Sequence, residues 1–366
     1  MPFKPRPEIT DLQTAPHGGI SPSEMNAMGL DPVGVLDFSV CTNPFMPPPG
    51  FWERLGHEEY SRYPDSGAIS LTDKLGGKLG VSAGNILVGA GTTELIRLLA
   101  FAYFRSGDRV ALLTPTFGEY SVAARIMGAH PVEFPLMEKD GFTLDDVAFS
   151  GFLRDIKPRG VFICNPGNPT GRYIPITRLR KIAISVPETL FIIDEAYAAF
   201  ADTAWPPSEH ISPENVVLLR SMTKDYGLAG LRLGYALADV DIIANLRRVC
   251  PPWNVNAAAL SAGALVLGED TALKQSLAKV REMKEFLLRE FARLGLSVIP
   301  SDVHYFLVNV GAAGGVRRAL LEHGVLVRDC SSFGLPGYIR VSPRPFEECE
   351  KLVQAISTVI KENRNT

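Results

Sequence analysis

Apolar positions along this chain gather in short runs separated by amphipathic stretches. Runs rich in Val, Ile, Leu and Phe recur at 85–89 (NILVG), 109–113 (RVALL), 131–134, 160–164 (GVFIC), 190–194 (LFIID) and 215–220 (NVVLLR). Runs this short and this uniformly apolar read as strands buried on both faces. Between them the spacing of apolar residues predicts helices over 68–80, 92–104, 117–128 and 175–185. Strands alternating with helices predict an α/β domain built on a mainly parallel sheet. Beyond 251–256 (PPWNVN) the pattern predicts helix throughout 257–296. The strand-like segments HYFLVNV, VLVRDC and YIRVS follow, and then a helix over 346–362. That order describes a smaller α+β unit. The first 35 residues, rich in Pro and Gly, predict an extended arm. The expected division is an arm over 1–35, a large domain over 61–256, and a small domain made of 36–60 and 257–366.

Composition adds exclusions. The 366 residues suffice for two such units, and 46% apolar with 21% charged residues describes an ordinary globular protein. A net charge of −3 argues against nucleic acid or an anionic membrane as partner. No apolar stretch is long enough to cross a bilayer, and the first residues carry no apolar signal region. The cysteines (41, 164, 250, 330, 349) form no CxxC pair and the histidines no HxxxH. Neither a zinc site nor a disulfide framework is expected, and reduced thiols fit a cytoplasmic protein.

The chemistry lies after the strands, where ligands bind in such sheets. FIIDEAYAAF (191–200) ends a buried run in Asp194 and Glu195, an arrangement that delivers an acid to something positive. A nucleotide is excluded. The Gly-Lys pair in TDKLGGKLG has Thr72 where a phosphate loop needs its leading glycine, and GAGTTE (89–94) has Glu94 where a dinucleotide loop needs its third. For one phosphate monoester GAGTTE is suitable, since Gly91, Thr92 and Thr93 place donors at a helix start. In LLRSMTKDYGLAGLRLGY (218–235) a strand is followed by Ser221, Thr223 and Lys224, with Arg232 eight residues later. Hydroxyls and an arginine hold a phosphate, and nearby cations favour the nucleophilic free amine of Lys224. A lysine able to form an imine beside a phosphate site is what pyridoxal 5′-phosphate requires. Asp194 then meets the pyridinium nitrogen, Tyr197 and Asn168 the phenolate oxygen, and Phe117 the ring face.

CNPGNPTG, IDEAY, SMTKDYGLAGLRLGY and YIRVS, in this order, resemble the fold-type I aminotransferases over nearly the whole chain. RYPD (62–65), PPWNVN and VRDC…YIRVS (327–342) are similar to the branch holding histidinol-phosphate aminotransferase and threonine-phosphate decarboxylase. The resemblance implies a homodimer with a shared site, Lys224 as the Schiff-base lysine, and Asp194, Tyr197 and Asn168 on the ring. It also implies a phosphate site of Gly91, Thr92, Thr93, Ser221 and Arg232, with Tyr63 reaching the partner subunit's cofactor. Arg340, with Arg328, is implied to bind an anion of a small phosphorylated amino substrate. Two details lean to the decarboxylase. PHGGI (16–20) resembles that family's opening and brings in His17, and YIRVSPRP supplies Arg344. The expected activity is decarboxylation of L-threonine O-3-phosphate in cobalamin side-chain synthesis, with transamination of histidinol phosphate or of a related amino acid as the alternative.

Overall fold

The computed structural model describes residues 3–56, 61–201 and 213–365. Its larger sheet has seven strands: β1 (Ile86–Gly89), β2 (Arg109–Thr114), β3 (His130–Pro135), β4 (Gly160–Cys164), β5 (Leu190–Asp194), β6 (Val216–Ser221) and β7 (Gly234–Ala238). They lie in the order β1-β7-β6-β5-β4-β2-β3, and β7 runs antiparallel to both neighbours while the remaining pairs are parallel. The mainly parallel α/β sheet is therefore as expected. Strand β7 was not among the expected strands. Its sequence, GYALA, starts in the last two residues of the stretch read as phosphate-binding chemistry, and a short buried run has no period of its own.

The pleat sends alternate residues to opposite faces. Phe191, Ile193, Val216 and Leu218 enter the core on one face, while Ile192, Val217 and Leu219 enter the core on the other. Burying each such side chain contributes roughly 1.5–3 kcal/mol, so a slip of one residue is strongly disfavoured. The strand ends are fixed by this register, with Cys164 beside Asp194 and Asp194 beside Leu219.

Helices cover both faces: α1 (Ile69–Leu79), α2 (Thr92–Tyr103), α3 (Glu119–Ile126), α4 (Asp146–Ile156), α5 (Ile176–Ser185) and α6 (Val240–Val249). The helix expected throughout 257–296 is two helices, α7 (Ala257–Val266) and α8 (Asp270–Arg293), broken at Leu267–Glu269, where Gly268 stands. Helix α7 packs on α1. A small residue allows the approach: a Cβ on Gly263 would fall 3.1 Å from Leu71 Cδ2 of α1, and 2.5 Å from Leu233 Cδ2 beside it. Ala259, Ala262 and Val266 join the core of the large sheet, so the packing assigns α7 there rather than to the small unit expected to begin at 257. Residues 57–60, placed in the small unit by sequence, lie outside the described residues.

The small unit carries an antiparallel sheet of β8 (Ser297–Val298), β9 (Phe306–Asn309), β10 (Arg328–Asp329) and β11 (Tyr338–Val341), in the order β10-β11-β9-β8. Helix α8 packs with α9 (Ala313–Glu322) and α10 (Phe346–Asn365) around Phe291, Phe306, Leu320 and Leu352. The N-terminal arm is not wholly extended. Proline at N1 starts short helices at Pro7–Thr10 and Pro22–Ala27, and buried Met25 packs with Leu321 and Leu326 of the small unit. Among the described residues no helix is long and apolar enough to cross a membrane.

Candidate active site

A cavity of about 350 Å³ opens at the carboxyl ends of β4, β5 and β6, within the usual range for small-ligand sites. Its wall includes Thr92, Thr93, Phe117, Asn168, Asp194, Tyr197, Ser221, Lys224, Arg232, Arg328 and Arg340. Residues from six separate stretches of sequence thus converge.

Asp194 is the last residue of β5. It shares strand parity with Ile192, and so faces the core that contains Tyr120. Tyr120 donates to Asp194 Oδ2 at 2.8 Å and the Ala196 amide to Oδ1 at 3.1 Å. Burial pushes the Asp194 carboxyl up from the ordinary range, opposed by the Tyr120 and Ala196 hydrogen bonds and by Lys224. Lys224 acts on this carboxylate electrostatically, and among the described residues no cation pairs with it directly. Glu195 turns the other way, where Arg220 Nε donates to its Oε2 at 2.6 Å. Of the two adjacent acids only Asp194 lines the cavity.

Lys224 follows β6 and its Nζ stands 5.9 Å above the ring of Tyr197. Burial lowers its pKa, and the Arg340 and Arg232 cations add to the effect. The amine is therefore uncharged in a range where an exposed lysine is protonated. We expect capture of pyridoxal phosphate by the unloaded protein to reach its pH plateau below the ordinary lysine value. Arg232→Ala removes one of the cations, so the midpoint should rise. A stopped-flow absorbance series across pH checks both statements.

The phosphate end is built from two strand ends. Ser221 and Thr223 share a 2.6 Å hydroxyl contact. Gly91, the N-cap of α2, has φ 84° and bonds none of the helix's first amides through a side chain. A Cβ there would lie 2.9 Å from Arg232 Nη2, so only glycine lets the guanidinium reach the helix start. Arg232 itself has φ 56° and donates from Nη1 to the Ala229 carbonyl at 3.1 Å. Free helix amides, two hydroxyls and an arginine suit a phosphate dianion.

Arg340 is buried on β11. Nη1 donates to Asn168 Oδ1, Nη2 donates to the Ser39 carbonyl at 2.7 Å, and Nε finds no acceptor among the described residues. Because arginine only donates, the Asn168 oxygen must face it, leaving the amide NH₂ for the cavity. Arg328 lies directly across from Arg340 in the sheet. Like charges in register repel, and burial with Arg340 lowers the Arg328 pKa. Arg328 is satisfied by the Pro16 and His17 carbonyls (2.9 and 3.0 Å) and by Ser332 Oγ (2.7 Å).

Phe117 lines the cavity and His17 leans over it, ring centroids 5.6 Å apart. Two sequence candidates are not brought to the cavity. Arg344 is held by Glu348, and its Nη1 reaches the Asp37 carbonyl at 3.4 Å. With Nε and Nη1 engaged there, it does not line this cavity. Tyr63 is 78% exposed and stacks on Trp253 at 4.3 Å beside a separate surface hollow. Within its own chain it does not meet Lys224. Tyr120, Ser39 and Cys41 belong to the site region and were missed. Tyr120 was legible, three residues after Phe117 in TFGEY, whereas no motif marks Ser39 or Cys41.

Residues 34–356 match the family model described as aminotransferase class I and II. The chain belongs to this family. A histidinol-phosphate aminotransferase of Symbiobacterium thermophilum is 37% identical over 306 residues, 82% of this chain and 83% of the relative. Among solved structures, the histidinol-phosphate aminotransferase of Sinorhizobium meliloti, determined with pyridoxal-5′-phosphate, superposes with a TM-score of 0.88 at 24% identity, covering 98% and 97% of the two chains. L-threonine-O-3-phosphate decarboxylase of Porphyromonas gingivalis gives 0.78 at 26% identity, covering 88% and 99%.

Proposed function

We propose that this aminotransferase uses pyridoxal 5′-phosphate to exchange the amino group of a small phosphorylated substrate, with histidinol phosphate and 2-oxoglutarate as the leading pair. The observation that carries the reading is one cavity holding a less basic lysine, a buried carboxylate with no direct ion-pair partner among the described residues, and a cross-strand arginine pair. When bound, the cofactor supplies an aldehyde that condenses with amines and a ring that accepts electrons from the bond being broken. Lys224 would hold it covalently, and its neutral amine would accept a proton from the substrate carbon and return it. Asp194 keeps a proton on the ring nitrogen, and its own bond from Tyr120 keeps the carboxylate aimed. Asn168 and Tyr197 orient the ring oxygen, Phe117 bounds the ring face, and Ser221, Thr223, Arg232 and the amides after Gly91 hold the phosphate. Arg340 receives the substrate anion.

The decarboxylase expectation rested on His17 and Arg344. Arg344 is engaged elsewhere, and the relative at 37% identity is named an aminotransferase. The aminotransferase therefore replaces it as the leading reading. We expect histidinol phosphate with 2-oxoglutarate to yield glutamate, and threonine phosphate to release no CO₂. CO₂ without glutamate would restore the decarboxylase. A charge-assisted bond contributes roughly 1.5–3 kcal/mol, so Arg340→Ala is expected to raise KM about ten- to a hundredfold.

A homodimer completes the proposal. Exposed Tyr63, Trp253, Trp52 and Ile69 put large apolar side chains at the surface around α1 and α7. A second copy covering them would bring Tyr63 to the neighbouring cofactor phosphate.

A further inference from the structure

The N-terminal arm closes one side of the cavity with Pro16, His17 and Gly18. It is fastened at several points. Arg328 holds the Pro16 and His17 carbonyls, and the Gly19 amide donates to Ser39 Oγ at 2.7 Å. Ala15 packs so closely on the start of α3 that a Cβ on Gly118 would lie 2.7 Å from its own. The remaining fastening involves Glu119, a residue with no part in the chemistry above. Glu119 is the first residue of α3 and is 7% exposed. Its Oε1 meets His17 Nε2 at 3.2 Å and its Oε2 takes the Arg97 guanidinium from α2. A carboxylate so nearly buried is costly unless paired. Arg97 and the amides at the helix start offset that cost, and the apolar core has no need of the group. What the carboxylate adds is a fixed seat for the His17 ring above Phe117.

We propose that Glu119 is the positioning residue that seats His17, and with it residues 15–19, as the roof of the active site, so that the roof limits the size of amine that reaches Lys224. This rests on the reading of the cavity as the cofactor site. Arg328 and Ser39 also fasten the arm, but both serve the Arg340 side of the cavity, directly across the sheet or through the Ser39 carbonyl. Glu119 acts on the roof without touching the anion site, which makes it the informative position.

The test uses the protein loaded with pyridoxal phosphate and two nucleophiles, hydroxylamine and O-benzylhydroxylamine, followed by loss of the cofactor's absorbance. The wild type should react far more slowly with the benzyl reagent. Losing a charged hydrogen bond should accelerate the benzyl reaction of Glu119→Ala about tenfold and leave hydroxylamine within about twofold. Glu119→Gln has a single acceptor oxygen for two donors, His17 and Arg97, and should fall between the wild type and Glu119→Ala. His17→Ala should reproduce Glu119→Ala and stands in for it if that variant does not fold. Wild-type rates for both reagents in both variants would overturn the proposal, as would equal acceleration of both reagents, which signals general loosening. Hydrogen exchange over residues 13–19 of the unloaded protein gives a separate reading: it should quicken in Glu119→Ala, and unchanged protection overturns the roof. If the wild type takes up no cofactor, the functional reading fails while this exchange measurement still decides about Glu119.

Discussion

Lys224→Ala should abolish covalent attachment of pyridoxal phosphate and lower turnover by about 10²–10⁴-fold, the range for loss of a positioned acid–base group. Two functions fail together in this variant. The imine-forming amine is gone, and so is the one lysine that lines the cavity among the described residues, hence the group placed to carry the proton. Phosphate affinity should persist, because Ser221, Thr223, Arg232 and the amides after Gly91 are untouched. Borohydride reduction followed by peptide mass measurement checks the attachment: the wild type should carry the cofactor on the peptide containing Lys224, and the variant on none. A labelled peptide elsewhere in the variant would show that another amine is the attachment point. Added methylamine should restore part of the turnover, since a small amine can enter the space left by the side chain.

Asp194→Ala is expected to lower turnover by about 10²–10³-fold, comparable with removing one preorganised electrostatic partner of a transition state. The phosphate cradle and Lys224 remain, so cofactor affinity should fall much less than turnover. Burial raises the carboxyl's pKa, and the Tyr120 hydroxyl, the Ala196 amide and Lys224 oppose that shift. Tyr120→Phe removes one opposing bond. Its Asp194 should therefore lose its proton at higher pH than in the wild type, and the acid limb of the pH–rate profile should move upward. Wild-type turnover in Asp194→Ala would dissociate the acid from the chemistry. Equal losses of affinity and rate would make it a structural group.

Much of this was legible before folding. Buried strands announce themselves because both faces must be apolar, which is why LFIID and NVVLLR were found with nearly their observed limits. Chemistry placed directly after such strands was legible for the same reason: the register that buries Ile193 and Leu218 also fixes where Asp194 and Lys224 emerge. Glycine at 91 was readable as part of a phosphate-binding helix start, whereas its packing against the Arg232 guanidinium came only with the fold.

Sequence alone thus determined the α/β class, the strand ends that carry the site, and the side chains suited to a phosphorylated aldehyde cofactor. Each of these depends on local periodicity or on residue type within a few positions. Only the tertiary structure decided which arginine serves the cavity, because Arg340 and Arg344 lie four residues apart yet one enters it and the other is bound by Glu348. It likewise decided that α7 joins the large sheet, that Glu195 turns from Asp194 to Arg220, and that the arm sits over Phe117. These outcomes turn on contacts between distant segments and on which side of a strand or loop a side chain leaves. No pattern along a single chain encodes a partner more than a hundred residues away, such as Glu119 for His17.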